Sequence, residues 1–256
     1  MKTSIPKVRC IAKTVADFDA IQDFLGAENT VWNKTKSSSE RDSLVEFSGR
    51  ICYMSFGGRQ SPRNNKEYIR NLIDSGHGSV LEHVSWTFIV SGVSRGFTHQ
   101  LVRHRAGFSY SQLSQQYYDE SDASFVAPPS LKNATSLYKR WSVAMQSSLD
   151  LYRELIASAQ KLSIDSSFSN KEKLREIRTT ARSILPNAIE TKIVFTANAR
   201  AIRNFLEARG AIEGDWEMRD VSSQIFDIVK DDAPSLFQDF EMFALEDGSR
   251  SVKRSL

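Results

Sequence analysis

The 256 residues carry 40% apolar and 25% charged side chains, the proportions of an ordinary globular protein with room for a sizeable core. A net charge of +3 is too mild to indicate a stable nucleic-acid partner and is compatible with a site for phosphorylated small molecules. Cys10 and Cys52 form no CxxC pair, no apolar leader opens the chain, and its longest apolar stretch is far short of a membrane span, so a disulfide framework and a membrane partner are not expected and a reducing cytoplasm is.

Val8, Cys10 and Ala12 alternate with polar residues and predict an opening strand. Residues 27–42 are Ser/Asn/Lys-rich and read as a surface loop. Leu44, Phe47, Ile51 and Met54 then take helical spacing, broken by Gly57-Gly58 and Ser61-Pro62. Tyr68, Ile69, Leu72 and Ile73 mark a further amphipathic helix up to Gly76, and residues 86–90 are aromatic and β-branched enough for a buried strand. All four histidines, His77, His83, His99 and His104, fall between 77 and 104. Their spacings do not align ligands on a helix, so no metal site is expected. His83 and His99 read as hydrogen-bonded core or interface histidines.

The central stretch, 98–118, is Thr-His-Gln-Leu-Val-Arg-His-Arg-Ala-Gly-Phe-Ser-Tyr-Ser-Gln-Leu-Ser-Gln-Gln-Tyr-Tyr. Gly92 and Gly96 bracket its entry. Phe97 and Leu101 predict the apolar face of a helix, with Gln100, Arg103 and His104 sharing another face. Gly107 permits a sharp turn into a polar loop. Two arginines at a helix end followed by amides and hydroxyls suit an anion and a flat heterocycle. From the pattern alone a solvated basic helix end followed by a polar loop is the more usual reading.

Further on, Ala-Pro-Pro-Ser at 127–130 is a break too short to divide the chain into domains, so one domain is expected. Residues 137–162 read as one long amphipathic helix, in which Leu137, Trp141, Met145, Leu149, Tyr152, Ile156 and Ala159 pack in a core or subunit interface. A polar loop at 163–170 offers Ser169 or Asn170 as a cap for a helix over 171–185. Leu174, Ile177, Ala181 and Ile184 are its apolar stripe; Arg175, Arg178 and Arg182 form a basic stripe that usually marks a solvated face. Residues 191–196 read as a strand, and Asn198 as the cap of a helix over 199–209 with Gly210 in the C′ position. Val221, Ile225, Ile228 and Val229 give a last helix, and the Gly/Ser/Arg/Lys-rich tail from Asp247 is expected to fray.

Arg103-His-Arg105, followed by Phe108-Ser-Tyr-Ser-Gln-Leu-Ser-Gln115, resembles the signature of the flavin-dependent thymidylate synthases. Gly76-His-Gly-Ser-Val-Leu-Glu-His83, Arg182-Ser-Ile-Leu-Pro-Asn187 and Asn198-Ala-Arg-Ala-Ile-Arg-Asn-Phe-Leu-Glu-Ala-Arg209 are similar to further family segments in the same order. The resemblance implies an α+β single domain, long helices packed on a mixed or antiparallel sheet, assembling as a homotetramer. It implies FAD as cofactor, NADPH and methylenetetrahydrofolate as co-substrates, and reductive methylation of dUMP to dTMP. By match, Ser79, Arg103, His104, Arg105, Gln112, Asn198, Ala199, Arg200 and Asn204 contact the flavin cofactor. Gln100, Arg103, Gln112, Leu113, Ser114, Gln115, Gln116, Arg182 and Arg209 hold the nucleotide, with Arg209 catalytic through charge on the pyrimidine. Neither cysteine lies in a matching segment, which agrees with chemistry that needs no thiol nucleophile.

Two departures stand out. Three residues, Ala106, Gly107 and Phe108, separate Arg105 from Ser109 where the family usually has two. Gln116 stands where the family usually has arginine. Both keep open a related flavin-dependent C5 modification, such as hydroxymethylation, of another pyrimidine nucleotide. A non-catalytic nucleotide- or RNA-binding paralogue is disfavoured by the presence of Arg209, which pure binding does not need.

Overall fold

The computed structural model describes residues 1–162, 164 and 167–255. The elements in chain order begin with β1 (Thr3–Ser4), β2 (Lys7–Lys13), α1 (Phe18–Ala27), α2 (Glu40–Ile51), α3 (Asn65–Asp74), β3 (Ser85–Ser94) and α4 (Arg95–Leu101). Then come β4 (Phe108–Gln112), β5 (Phe125–Val126), α5 (Pro129–Lys132), α6 (Thr135–Ala157), α7 (Asn170–Arg182), β6 (Glu190–Asn198), α8 (Ala199–Arg209), α9 (Trp216–Asp232), β7 (Phe240–Ala244) and β8 (Arg250–Arg254). This is an α+β chain. A four-stranded sheet has the order β2-β3-β6-β4; β1 pairs parallel with β5 and β7 antiparallel with β8.

Two compact units interleave along the sequence. The first takes Met1–Lys7, Val90–Arg103 and Ser111–Val194; the second takes Val8–Ile89, His104–Tyr110 and Phe195–Leu256. In the first, Phe125, Leu149 and Ile189 form a core against which Trp141 and Met145 of α6 and Leu185 pack. The helix expected over 137–162 is α6 followed by a 3-10 turn at Ala159–Lys161. Only Leu149 and Tyr152 of its apolar stripe are buried; Leu137 is 52% exposed. Ser169 caps α7 in a full capping box with Glu172. The helix ends at Arg182, before the expected Leu185, where the N–H groups of Ser183, Ile184 and Leu185 turn to tighter bonds on the carbonyls of Thr180, Ala181 and Arg182. The polar loop at 163–170 falls partly on Ser163, Asp165 and Ser166, outside the described residues.

The second unit buries Trp86, Phe88, Phe195, Phe205, Phe237 and Phe240. The loop read over 27–42 is shorter than expected, since Ser39 already caps α2, and its Trp32 is buried. In α2 the expected apolar stripe is only part-buried: Phe47, Ile51 and Met54 pack against Ile21, Leu25, Trp32 and Phe56. Its fully buried face is polar and carries Asp42, Glu46 and Arg50. Gly210 follows α8 but keeps right-handed backbone, so it is not a left-handed cap. A Cβ there would lie 2.5 Å from the Val252 carbonyl oxygen, and close approach of β8 explains the glycine. The tail expected to fray instead supplies β8, with Ser251 and Val252 buried.

Candidate functional site

The predicted nucleotide residues, Arg209 apart, all fall in the first unit. Ser94 caps α4 by accepting from Phe97 N, and Phe97 and Leu101 are buried as expected. The helix stops at Leu101, so Arg103 and His104 are not on one face of it with Gln100. The Arg103 N–H already closes a tighter turn on the Gln100 carbonyl. The stretch expected as a loop is strand β4 through Gln112, and Leu113 N continues the pairing onto Lys192 O. Ser109 and Ser111 therefore point to the exposed face, while Phe108, Tyr110 and Gln112 are half-buried.

Past the strand the chain is fastened at several points. Gln112 Nε2 donates to Thr98 Oγ1 at 2.8 Å, and Arg95 Nη1 to Leu113 O at 3.3 Å. Ser114 Oγ accepts from Gln116 N, and the Gln116 amide donates to Thr179 Oγ1 on α7 at 3.2 Å. Arg178 Nη1 donates to Tyr117 O at 3.0 Å, and Arg175 lies over the Tyr117 ring. Gln115 is buried. Arg182 lies one turn beyond Thr179, on the same face of α7. Arg95 is near enough to Arg182 to feel it: burial first, and the Arg182 guanidinium with it, lower the Arg95 pKa against the pull of Glu120. Among the described residues no carboxylate forms a salt bridge with Arg103, Arg105, Arg182 or Arg209. Arginines beside amides and a hydroxyl are suited to a phosphate.

The second unit holds the other candidates. Gly107 has φ +74°, and a Cβ there would meet Asn198 Nδ2 at 2.7 Å and Ala201 Cβ at 2.8 Å. Glycine thus serves both the left-handed turn and close packing on the start of α8. Asn198 caps that helix by accepting from Ala201 N at 2.8 Å. Arg200 pairs with Glu82 at 2.6 Å, and a Cβ on Gly78 would lie 2.8 Å from Arg200 Nε. Gly76, Gly78, Arg200, Asn204 and Glu207 line an open recess of about 190 Å³. Ser79 and Arg105 are exposed, whereas Ala199 is fully buried with its N–H on Val84 O. His104 is half-buried, edge-on to Phe205. Arg209 Nε donates to His104 Nε2 at 3.1 Å. That bond requires a lone pair on Nε2 and therefore the neutral Nδ1–H tautomer. Burial first, then Arg209, hold the His104 pKa below its ordinary value.

His83 and His99 are exposed, so the core reading of both fails. The sequence reading also missed residues. Arg175 and Arg178, read as solvated, hold Tyr117; their place beside Arg182 in one stripe was the available signal. Arg95, Thr179 and Glu120 carry no local signal, since their partners are distant in sequence.

An α+β chain with a Gln/Ser loop fastened to α4 and to the arginine-bearing α7 in one unit, and a glycine-lined recess in the other, has the features of a nucleotide-handling protein. A family model described as thymidylate synthase complementing protein matches residues 34–235. The flavin-dependent thymidylate synthase of Mycobacterium avium (strain 104) is 40% identical over 245 residues, covering 95% of this chain and 93% of that protein. That of Mycobacterium leprae (strain TN) is 40% identical over 248 residues with the same coverage. That of Mycobacterium sp. (strain KMS) is 43% identical over 212 residues, 81% and 83% of the two chains. The chain belongs to the flavin-dependent thymidylate synthase family.

Proposed function

We infer that the chain is a flavin-dependent thymidylate synthase that methylates dUMP reductively to dTMP. Methylenetetrahydrofolate donates the carbon unit, and FAD with NADPH provides the reducing system. The observation that carries this reading is family membership over nearly the whole chain, joined to Arg182 at the end of α7, whose guanidinium suits a nucleotide phosphate. FAD, when bound, supplies reducing equivalents. The residues present fit it. Among the described residues no carboxylate pairs with Arg103 or Arg105, which suit a pyrophosphate, and Arg200 and Asn204 line the recess. The recess is smaller than the roughly 300–1,000 Å³ of pockets that enclose a ligand, so it takes one part of the cofactor. Ser79, Asn198 and the exposed arginines are the further contacts we assign.

On the nucleotide, Arg182 and Arg95 hold the phosphate. Gln100, Gln112, Leu113, Ser114 and Gln115 hold ribose and ring, and Arg209 stabilises negative charge developing on the pyrimidine. Cys10 is no rival nucleophile: burial pushes its thiol pKa up.

We further propose a homotetramer, one working domain per chain, and a cytoplasmic setting. Support for assembly comes from the incomplete recess and from Leu137, Val143 and Leu174, all more than half exposed on α6 and α7. The five passages of the chain between its units support a single working domain. Among the described residues no helix is long and apolar enough to cross a membrane.

Purified protein given excess FAD should turn yellow and sediment as a tetramer. With dUMP, NADPH and methylenetetrahydrofolate it should release a product of dTMP mass. Absence of bound flavin would end the enzyme reading, and a hydroxymethyl mass would replace methylation by the related C5 chemistry.

Arg182→Ala should raise the KM for dUMP by about 10–100-fold, the loss of a charge-assisted contact worth roughly 1.5–3 kcal/mol. Gln116→Arg should lower that KM or leave it unchanged, since the native amide is engaged by Thr179. Steady-state kinetics reads both; an unchanged KM in Arg182→Ala removes Arg182 from the phosphate.

A further inference from the structure

The glycine-lined recess takes part of its wall from the last strand of the chain. Besides Arg200 and Asn204, it is lined by Arg203 of α8 and by Arg254, the final residue of β8. Arg254 and its partner Asp239 both lie beyond residue 235, where the family model's match ends. The two added arginines differ in how they are held. Arg203 is committed to the fold. It meets the Asp239 carboxylate with two nitrogens, each at 2.7 Å, donates to Leu236 O at 2.6 Å and lies over the Phe240 ring. Its side chain is 8% exposed. Arg254 is fastened near its base: Nε donates to Asp239 Oδ2 at 2.8 Å, and next to it Ser255 N donates to Asp239 O at 2.6 Å. Its side chain is 41% exposed, and Nη1 lies 3.9 Å from Glu207 Oε1, too far for a hydrogen bond.

The charges are sorted in the same way. Among the described residues, the lining of the recess holds three guanidiniums and one carboxylate, that of Glu207. The carboxylates that pair with these arginines at hydrogen-bond distance are Asp239 and Glu82, and neither lines the recess. Asp239 lines a neighbouring groove instead, which shares Glu207 and Arg254 with the recess. Cations thus line the recess while their counter-charges stand outside it. An anion entering there has to displace no more than the long Arg254–Glu207 contact, a partly exposed pair of little worth.

We propose that Arg254 is a cofactor-binding residue: held by Asp239, it presents its guanidinium to a phosphate of FAD in the recess, so that the C-terminal strand completes the cofactor site. The inference rests on the reading of the recess as part of the FAD site. A phosphate gives the guanidinium the two-point partner that Glu207, at 3.9 Å, does not.

The test is release of FAD from the purified holoenzyme on dilution, read by the fluorescence of free flavin, at low and at raised salt. Wild type is compared with Arg254→Gln, Arg254→Lys and Arg200→Ala. Arg254→Gln should raise the Kd for FAD about tenfold, the loss of a charge-assisted contact. Arg254→Lys should fall between the two, since it keeps the charge without the fork. Raised salt should weaken FAD binding less in Arg254→Gln than in wild type, because the charge it screens is gone; a merely structural role would leave the salt dependence unchanged. FAD held as tightly by Arg254→Gln as by wild type, while Arg200→Ala releases it, overturns the role of Arg254 alone. Wild-type affinity in both variants removes FAD from the recess and this inference with it. Weaker binding in Arg254→Gln with the wild-type salt dependence and no recovery in Arg254→Lys assigns Arg254 to the fold and also overturns the proposal. Should Arg254→Gln not fold, Arg254→Lys decides: a Kd above that of wild type supports the contact, and an equal one overturns it.

Discussion

Arg209→Ala should lower kcat by about 10²–10³-fold while bound FAD, read by absorbance, stays near the wild-type level. The side chain is half-buried at the last residue of α8. Its proposed task is to stabilise charge on the pyrimidine, an effect typically worth about 3–4 kcal/mol. Near-normal turnover in the variant would remove Arg209 from the chemistry. The His104 contact gives the prediction a pH dependence. When His104 takes a proton, Nε2 becomes a donor and can no longer accept from Arg209. Burial, then Arg209 itself, lower the His104 pKa. In the folded chain the loss therefore comes below the ordinary histidine range of about 6.5. The unfolded chain binds that proton more readily, so the same group makes the fold less stable as pH falls through 6.5 and on toward the depressed value.

Arg50→Ala should destabilise the protein by about 3–5 kcal/mol, the usual cost of leaving a buried charge without its partner. For a chain of this size that is a fall in Tm of roughly 6–20 °C. Arg50 and Glu46 are both 0% exposed and meet at 2.8 Å. Arg50 also donates to Ser55 O and Pro62 O and lies over the Tyr68 ring. Glu46 accepts from Trp32 Nε1 and Asn65 Nδ2 as well. Removing the guanidinium strands the Glu46 carboxylate among groups arranged for an ion pair. A thermal melt within two degrees of wild type would contradict this account.

The two predictions lie at opposite ends of what the sequence makes legible. Helices whose apolar stripe faces the core were readable from spacing: α3 buries Tyr68, Ile69 and Leu72, and α9 buries Val221, Ile225 and Val229. Asn198 was readable as a cap because its short amide acts within one helical turn. In α2 the same rule found the helix and mistook its inner face. Asp42, Glu46 and Arg50 are satisfied by Ser235, Leu236, Asn65 and Pro62, far away in sequence, and no local pattern encodes such partners. The site divides likewise. Arg103, Arg105, Arg182 and Arg209 were singled out only through segments resembling a family. Gln116 was singled out among the nucleotide residues, and its amide donates to Thr179, a contact visible only once α7 is in place. Arg95 had no signal at all, because its contact with Leu113 is brought in by the fold.

Neither unit of this chain is a continuous stretch, so no single cut or terminal truncation can yield either as a fragment. The longest run that stays in its unit is Ser111–Val194. It carries Gln112 through Gln116, Glu120, Thr179 and Arg182 with the helix that fastens them. His104, Asn198 and Arg209 remain outside it. In chimeras between relatives, a cassette of this run carries the nucleotide loop with its α7 anchors, while the α4 anchors Arg95 and Thr98 stay with the parent backbone together with α8 and the glycine-lined recess.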